Sequence, residues 1–198
     1  MLLILFCTFV VLKYLVMHPD DREILTMINT RQLEAAFSCI VKKFQQRLYW
    51  HLRKMVIIHE DADDLLQNSF IKVWQNLDKF RGESSLYTWL YRIATNEALN
   101  FLNKKRTELI DSPEDLESVL SGHLTGDPLF TGDEIEVRLQ QSVLTLPDKQ
   151  RLVFNMKYYD NMKYEEMAEI LNTSVGALKA SYFHAVRKIE AIIEQELF

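Results

Sequence analysis

Between Phe80 and Arg106 the chain reads FRGESSLYTWLYRIATNEALNFLNKKR, mixing aromatic, hydroxyl, amide and basic side chains and closing on three cations. Aromatic rings offer flat faces on which unpaired bases stack, and neighbouring Lys and Arg meet phosphates, so the combination suits single-stranded nucleic acid. At helical spacing Leu86, Leu90, Ile93, Ala94, Phe101 and Leu102 make one apolar stripe. Thr88, Arg92, Asn96 and Asn103 then fall on another face, with Tyr87, Trp89 and Tyr91 at its borders. An amphipathic helix whose rings cover a small core would carry the same residues. That reading is as good for Tyr91 and better for Trp89, so this stretch alone leaves the choice open.

A second pattern, YEEMAEILNTSVGALKASYFHAVRKI from Tyr164 to Ile189, has the layout of a helix-turn-helix. Met167, Ile170 and Leu171 form the buried stripe of its first helix, and Ala168 is small where a second helix must cross. Asn172 can adopt the left-handed conformation that ends a helix, and Ser174 can cap the next one. Leu178, Tyr182 or Phe183, Val186 and Ile189 point inward, while Lys179, Ser181, His184, Arg187 and Lys188 face out. Residues 174–188 contain no acid, so that face could enter a major groove. A plain helical hairpin has the same period.

In DADDLLQNSFIKVWQNL, Asp64, Gln67, Asn68 and Ile71 share one helix face, and Leu66, Phe70, Val73 and Leu77 another. Periodicity alone makes the first face solvated surface. Glu60, Asp61, Asp63 and Asp64 do not read as a metal site, since adjacent acids on a helix point apart and no His or Cys sits at ligand spacing. Nor is there a carboxylate constellation for a nuclease. Cys7 and Cys39 supply neither a disulfide framework nor a metal centre. The expectation is no catalytic residue, no cofactor and no small-molecule substrate.

The elements that position these residues are helical. Five Gly and four Pro in 198 residues, with almost no strand-like alternation, predict an all-α protein of two small helical domains joined by an acidic linker. The predicted division is an apolar extension at 1–20, a first domain at 21–106, a linker at 107–132 and a second domain at 133–198. In the first domain a helix break is expected near Asn29–Thr30, a further helix after His59-Glu60-Asp61, and a turn at Arg81–Ser84 with Ser84 or Ser85 capping the next helix. The net charge of −5 is unevenly spread. Residues 31–106 hold 13 Lys/Arg against 8 Asp/Glu, and residues 107–147 hold one Arg and nine acids. A polyanion responds to this local field rather than to the sum. The apolar run MLLILFCTFVVLKYLVM is broken by Lys13 and stops short of a membrane span. It reads as an over-extended gene start, with translation beginning at Met17, in preference to a membrane anchor.

Together these blocks resemble the sigma-70 family of RNA polymerase sigma factors, in its two-domain extracytoplasmic-function (ECF) group. DADDLLQNSFIKVW is similar to family region 2.2, FRGESSLYTWLYRIATNEALNFLNKKR to regions 2.3–2.4, and LPDKQRLVF with the helix-turn-helix to region 4. The resemblance implies a non-catalytic, cytoplasmic bacterial promoter-specificity subunit. Its partners would be core RNA polymerase, through the β′ clamp helices and the β flap, promoter DNA, and an anti-sigma factor of a kind that is often membrane-bound. Asp61, Asp64, Gln67, Asn68 and Ile71 would meet the polymerase, with Asn68 standing where the family usually has Glu. Arg81, Glu83, Ser84, Ser85, Tyr87, Thr88, Trp89, Arg92, Asn96, Lys104, Lys105 and Arg106 would hold the melted −10 strand. Ser174, Val175, Gly176, Ala177, Lys179, Ala180, Ser181, His184, Arg187 and Lys188 would lie on the −35 duplex. Ser181 replaces an Arg frequent in the family, leaving base readout more to Lys179, His184 and Arg187. The alternative is a free-standing helix-turn-helix regulator. It would usually be a symmetric dimer on a palindrome and would leave the first domain without a task. A membrane-anchored signalling protein is a further rival.

Overall fold

A computed structural model of the chain describes residues 20–108 and 134–197. The apolar run and nearly all of the expected linker lie outside the described residues. Those residues form α1 (Asp21–Asn29), α2 (Leu33–Val56), α3 (His59–Asn76), a 3-10 turn (Leu77–Lys79), α4 (Leu86–Glu108), α5 (Glu134–Leu144), α6 (Asp148–Tyr158), α7 (Tyr164–Leu171) and α8 (Val175–Leu197). No strand occurs among them, and no described helix is long and apolar enough to cross a membrane.

The break between α1 and α2 falls where the sequence places it, with Arg31 turning the chain at φ 62°. Helix α2 is the spine of the N-terminal half. Ala36, Ile40, Phe44, Leu48, Leu52 and Met55 recur along one side of it and are almost fully buried. Each large side chain of this kind stabilises the fold by about 1.5–3 kcal/mol when removed from water. Along α3 and into the 3-10 turn the buried line is Ala62, Leu65, Ser69, Val73 and Leu77, while Leu66 and Phe70 are only half-buried. The buried line is rotated from the expected stripe, and Ser69 can occupy a core position because its hydroxyl donates to the Leu65 carbonyl at 2.7 Å.

The turn before α4 needs glycine. Gly82 sits at φ +73°, where a side chain would be strained. Ser85 then caps α4: its Oγ accepts the Thr88 amide at 3.0 Å and lies 2.8 Å from the Thr88 hydroxyl. Ser85→Ala is expected to lower stability by about 1 kcal/mol in urea unfolding, with Ser84→Ala near neutral. Along α4 the fully buried apolar residues are Leu86, Leu90, Tyr91, Ala94, Ala98 and Leu102; Ile93 and Phe101 are half-buried.

The helix-turn-helix forms as its caps predict. Asn172 ends α7 in the left-handed region, and Ser174 Oγ accepts the Ala177 amide at 3.2 Å. Of the two aromatics left open, Tyr182 turns toward the core and Phe183 is 59% exposed. The main core is continuous across both halves. Leu152, Val153, Met156, Met167, Ile170 and Leu178 join the cluster that contains Leu48 and Leu90. Helix α4 packs on α7, and α2 on α6.

Candidate nucleic-acid interface

The turn at Arg81–Ser84 and the first two turns of α4 enclose a groove of about 510 Å³ lined by Asn76, Lys79, Phe80, Arg81, Glu83, Ser84, Trp89, Arg92 and Ile93. Trp89 stacks on Phe80 with ring centroids 4.7 Å apart and an interplanar angle of 28°. Arg81, Lys79 and Arg92 bring three cations to the rim. A groove of this make-up can hold an unpaired base against a ring and its phosphate against a guanidinium. A second groove of about 500 Å³ continues along α4 past Lys72, Asn76, Ile93, Asn96, Glu97, Asn100 and Asn103. Glu97 is paired with Lys72, which tempers its charge beside the amides.

The structure gathers Arg81, Glu83, Ser84, Trp89 and Arg92 into one groove and sets Asn96 in the adjoining one. Ser85 is committed to capping. Tyr87 lies with its ring 4.2 Å from that of Tyr91 and 5.2 Å from the Arg47 guanidinium. Burial pushes both phenols up, so they stay neutral. Thr88 is 2% exposed and faces the C-terminal half, 3.5 Å from a Glu169 carboxylate oxygen. Arg92 donates to the Glu169 carbonyl at 2.6 Å. At the far end of α4, Arg106 makes two bonds to Asp148, at 2.7 and 3.2 Å. Lys105 pairs with Asp61, which ties a residue expected on DNA to one expected on the polymerase. Lys104 is exposed.

Asp64, Gln67 and Asn68 are exposed on α3, next to Ile71 at 52% and Trp74 at 45% exposure. Trp74 leans edge-on against Phe37, 5.2 Å between centroids. The acidic and amide residues therefore border an apolar patch, and such a mixture fits a protein partner better than plain solvent. In α8 the exposed face carries Gly176, Lys179, Ala180, His184, Arg187 and Lys188. Lys179 lies 5.7 Å over the Tyr164 ring, and Arg187 reaches toward Glu190 at 3.9 Å. Ala177 and Ser181 instead line a cavity of about 370 Å³ between the halves, with Leu99, Lys149, Leu152, Val153, Leu171 and Leu178.

Two groups of residues escaped the sequence reading. Asn76, Lys79 and Phe80 precede the turn and carry no site role in the sequence reading; the clue was an aromatic directly before Arg81-Gly82. Asp148, Asp160 and Glu169 meet the N-terminal half from far along the chain, and no local pattern could mark them. Burial pushes the Asp148 carboxyl up, but the Arg106 and Arg151 guanidiniums more than offset this and hold it below the usual range. Asp160 is held low in the same way by His51 and Lys54.

Two family profiles match the chain: Sigma-70 region 2 over residues 40–108, and Sigma-70, region 4 over residues 136–189. The RNA polymerase sigma-H factor of Pseudomonas aeruginosa is 30% identical over 183 residues, covering 88% of this chain and 94% of that protein. The ECF RNA polymerase sigma-E factor of Haemophilus influenzae is 32% identical over 167 residues, covering 80% of this chain and 88% of its own. Two solved structures share the fold. CnrH, in complex with the cytosolic domain of CnrY, has a TM-score of 0.64 at 21% identity, over 88% of this chain and 97% of that chain. RpoE of Bartonella quintana, in complex with the anti-sigma factor NepR, has a TM-score of 0.63 at 21% identity, over 80% of this chain and 96% of that chain.

Proposed function

The chain belongs to the sigma-70 family, in its extracytoplasmic-function group, and from that premise we propose how its two halves divide the work of promoter-specific initiation. The N-terminal half docks on core polymerase through Asp64, Gln67, Asn68 and Ile71, with Trp74 as an added apolar contact. The groove at the head of α4 takes up an unpaired base of the −10 element: Trp89 and Phe80 supply the ring wall, and Arg81 and Arg92 the phosphate partners. The exposed face of α8 lies in the −35 major groove, with Lys179, His184 and Arg187 toward base edges and Lys188 toward phosphate. The observation that carries this reading is the groove of about 510 Å³ that brings the turn, the stacked rings and the cations together.

Melting then follows from differential binding. A base in the groove gains stacking that it cannot gain inside a duplex, so the protein favours the open strand without performing chemistry. The residues expected to act do so by binding, which makes the chain a specificity subunit rather than an enzyme. We assign it to the bacterial cytoplasm, where polymerase works. The two structural relatives are bound to CnrY and to NepR, which supports a regulator of the anti-sigma kind for this chain as well.

The test is transcription in vitro with core polymerase on a library of genomic fragments. Initiation at a defined subset of promoters is expected; its absence, with tight binding of the free protein to a palindrome, would favour a free-standing regulator. Asp64→Ala with Gln67→Ala should weaken binding to core polymerase roughly tenfold. The fraction of bound polymerase that melts a promoter should stay unchanged.

A further inference from the structure

We infer that the cavity in the seam between the two halves is a binding site for a fatty carboxylate of about ten carbons, held there without chemistry. At about 370 Å³ it lies at the small end of ligand pockets, which are apolar with a few placed polar groups. Leu99 of α4, Leu152 and Val153 of α6, Leu171 of α7 and Leu178 of α8 form its walls. Lys149, Asn172, Thr173 and Ser181 supply the polar lining.

Polarity is graded from the opening inward. Lys149, Asn172 and Thr173 are exposed, whereas Leu152, Val153 and Leu178 are almost fully buried. That gradient matches a molecule with a polar head and an apolar tail. Ser181 is half-buried with its hydroxyl uncommitted. Ser69 and Ser142 donate to carbonyls four residues back, but Ser181 has no hydrogen-bond partner among the described residues.

The charge at the opening selects an anion. Asp148, next to Lys149, is taken up by Arg106 and Arg151, so the Lys149 ammonium has no ion-pair partner among the described residues. Helix α8 runs for 23 residues from Val175, and its N-terminal end, next to Asn172 and Thr173 in the chain, carries the positive pole of the helix dipole. No carboxylate lines the cavity among the described residues, so an anionic head meets attraction there and no repulsion. No aromatic ring lines it either, and a nucleotide base would find nothing to stack on. One lysine and one helix end suit a head of single charge, while the leucines shed water onto an alkyl chain.

Isothermal titration calorimetry of the full chain with sodium decanoate, below its micellar range, tests this. One saturable site per chain is expected. Each methylene is worth about fourfold in affinity, so octanoate should bind roughly 15-fold more weakly. Tetradecanoate should gain less than about tenfold over decanoate, because its tail outgrows the cavity. Lys149→Ala, at an exposed position that leaves the fold intact, should weaken decanoate roughly tenfold and leave octan-1-ol unchanged. Ser181→Phe should fill the cavity and abolish binding, with urea unfolding as the check on its fold. Absence of saturable binding overturns the site. Equal binding of decyltrimethylammonium, or a Lys149→Ala chain that binds decanoate as wild type does, overturns it as well. Full binding by a folded Ser181→Phe chain would put the ligand elsewhere and overturn the assignment to this cavity.

Discussion

Asp148→Ala should lower the free energy of unfolding by about 3 kcal/mol, measured by urea titration at pH 7. The carboxylate lies between Arg106 and Arg151, and the Arg151 side chain is 0% exposed. Deleting it leaves a buried guanidinium without this counter-charge, which is far more costly than losing an exposed pair. The acid also stands in the first turn of α6, where it complements the helix dipole. Arg106→Ala, at a more exposed partner, should cost about 1 kcal/mol or less. Acid should reproduce part of the Asp148 effect. Asp148 and Asp160 both titrate lower in the folded chain than the usual Asp value, which is near 3.9 when unfolded. Their contribution is therefore complete above that value and is lost as pH falls through the depressed folded values. Wild-type protein should weaken more steeply than Asp148→Asn as pH drops below about 4.

Trp89→Ala with Arg92→Ala should reduce promoter melting roughly 100-fold, while affinity for core polymerase changes less than about threefold. Permanganate reactivity of unpaired thymines at saturating polymerase measures the first, and a competition assay against a reference sigma factor measures the second. Stacking on one ring is worth about 1–3 kcal/mol, and each 1.4 kcal/mol is tenfold in an equilibrium. The large effect therefore requires both the ring and the cation to bind the strand. Arg92 also holds Glu169, so its loss loosens the seam. Saturating polymerase removes that second effect from the reading. Should this pair and the Asp64/Gln67 pair act alike, the division between a melting face and a docking face is wrong.

Much of the local structure was legible because it obeys short-range rules. The α1–α2 break, the helix-turn-helix caps at Asn172 and Ser174, and the cap before α4 all depend on residues within a few positions of one another. The exact core stripes were less legible. Ser69 and Ala98 entered the core, and Ile93 and Phe101 moved to its edge, because neighbouring helices rather than polarity decide which side of a helix is covered. Thr88 looked like an exposed hydroxyl on a reading face, and only α7 packed against α4 buries it.

By itself the sequence determined the all-helical class, the helix-turn-helix and the two motif blocks that carry the family resemblance. These follow from spacing along a helix and from capping chemistry, both local. The tertiary structure decided that the two halves share one core, that Arg92, Thr88 and Arg106 meet Glu169 and Asp148, and that Phe80 completes the groove with Trp89. Arg92 and Glu169 are 77 residues apart, and Lys54 and Asp160 are 106 apart. At such separations no periodicity links the partners, and only packing of the helices brings these donors and acceptors together.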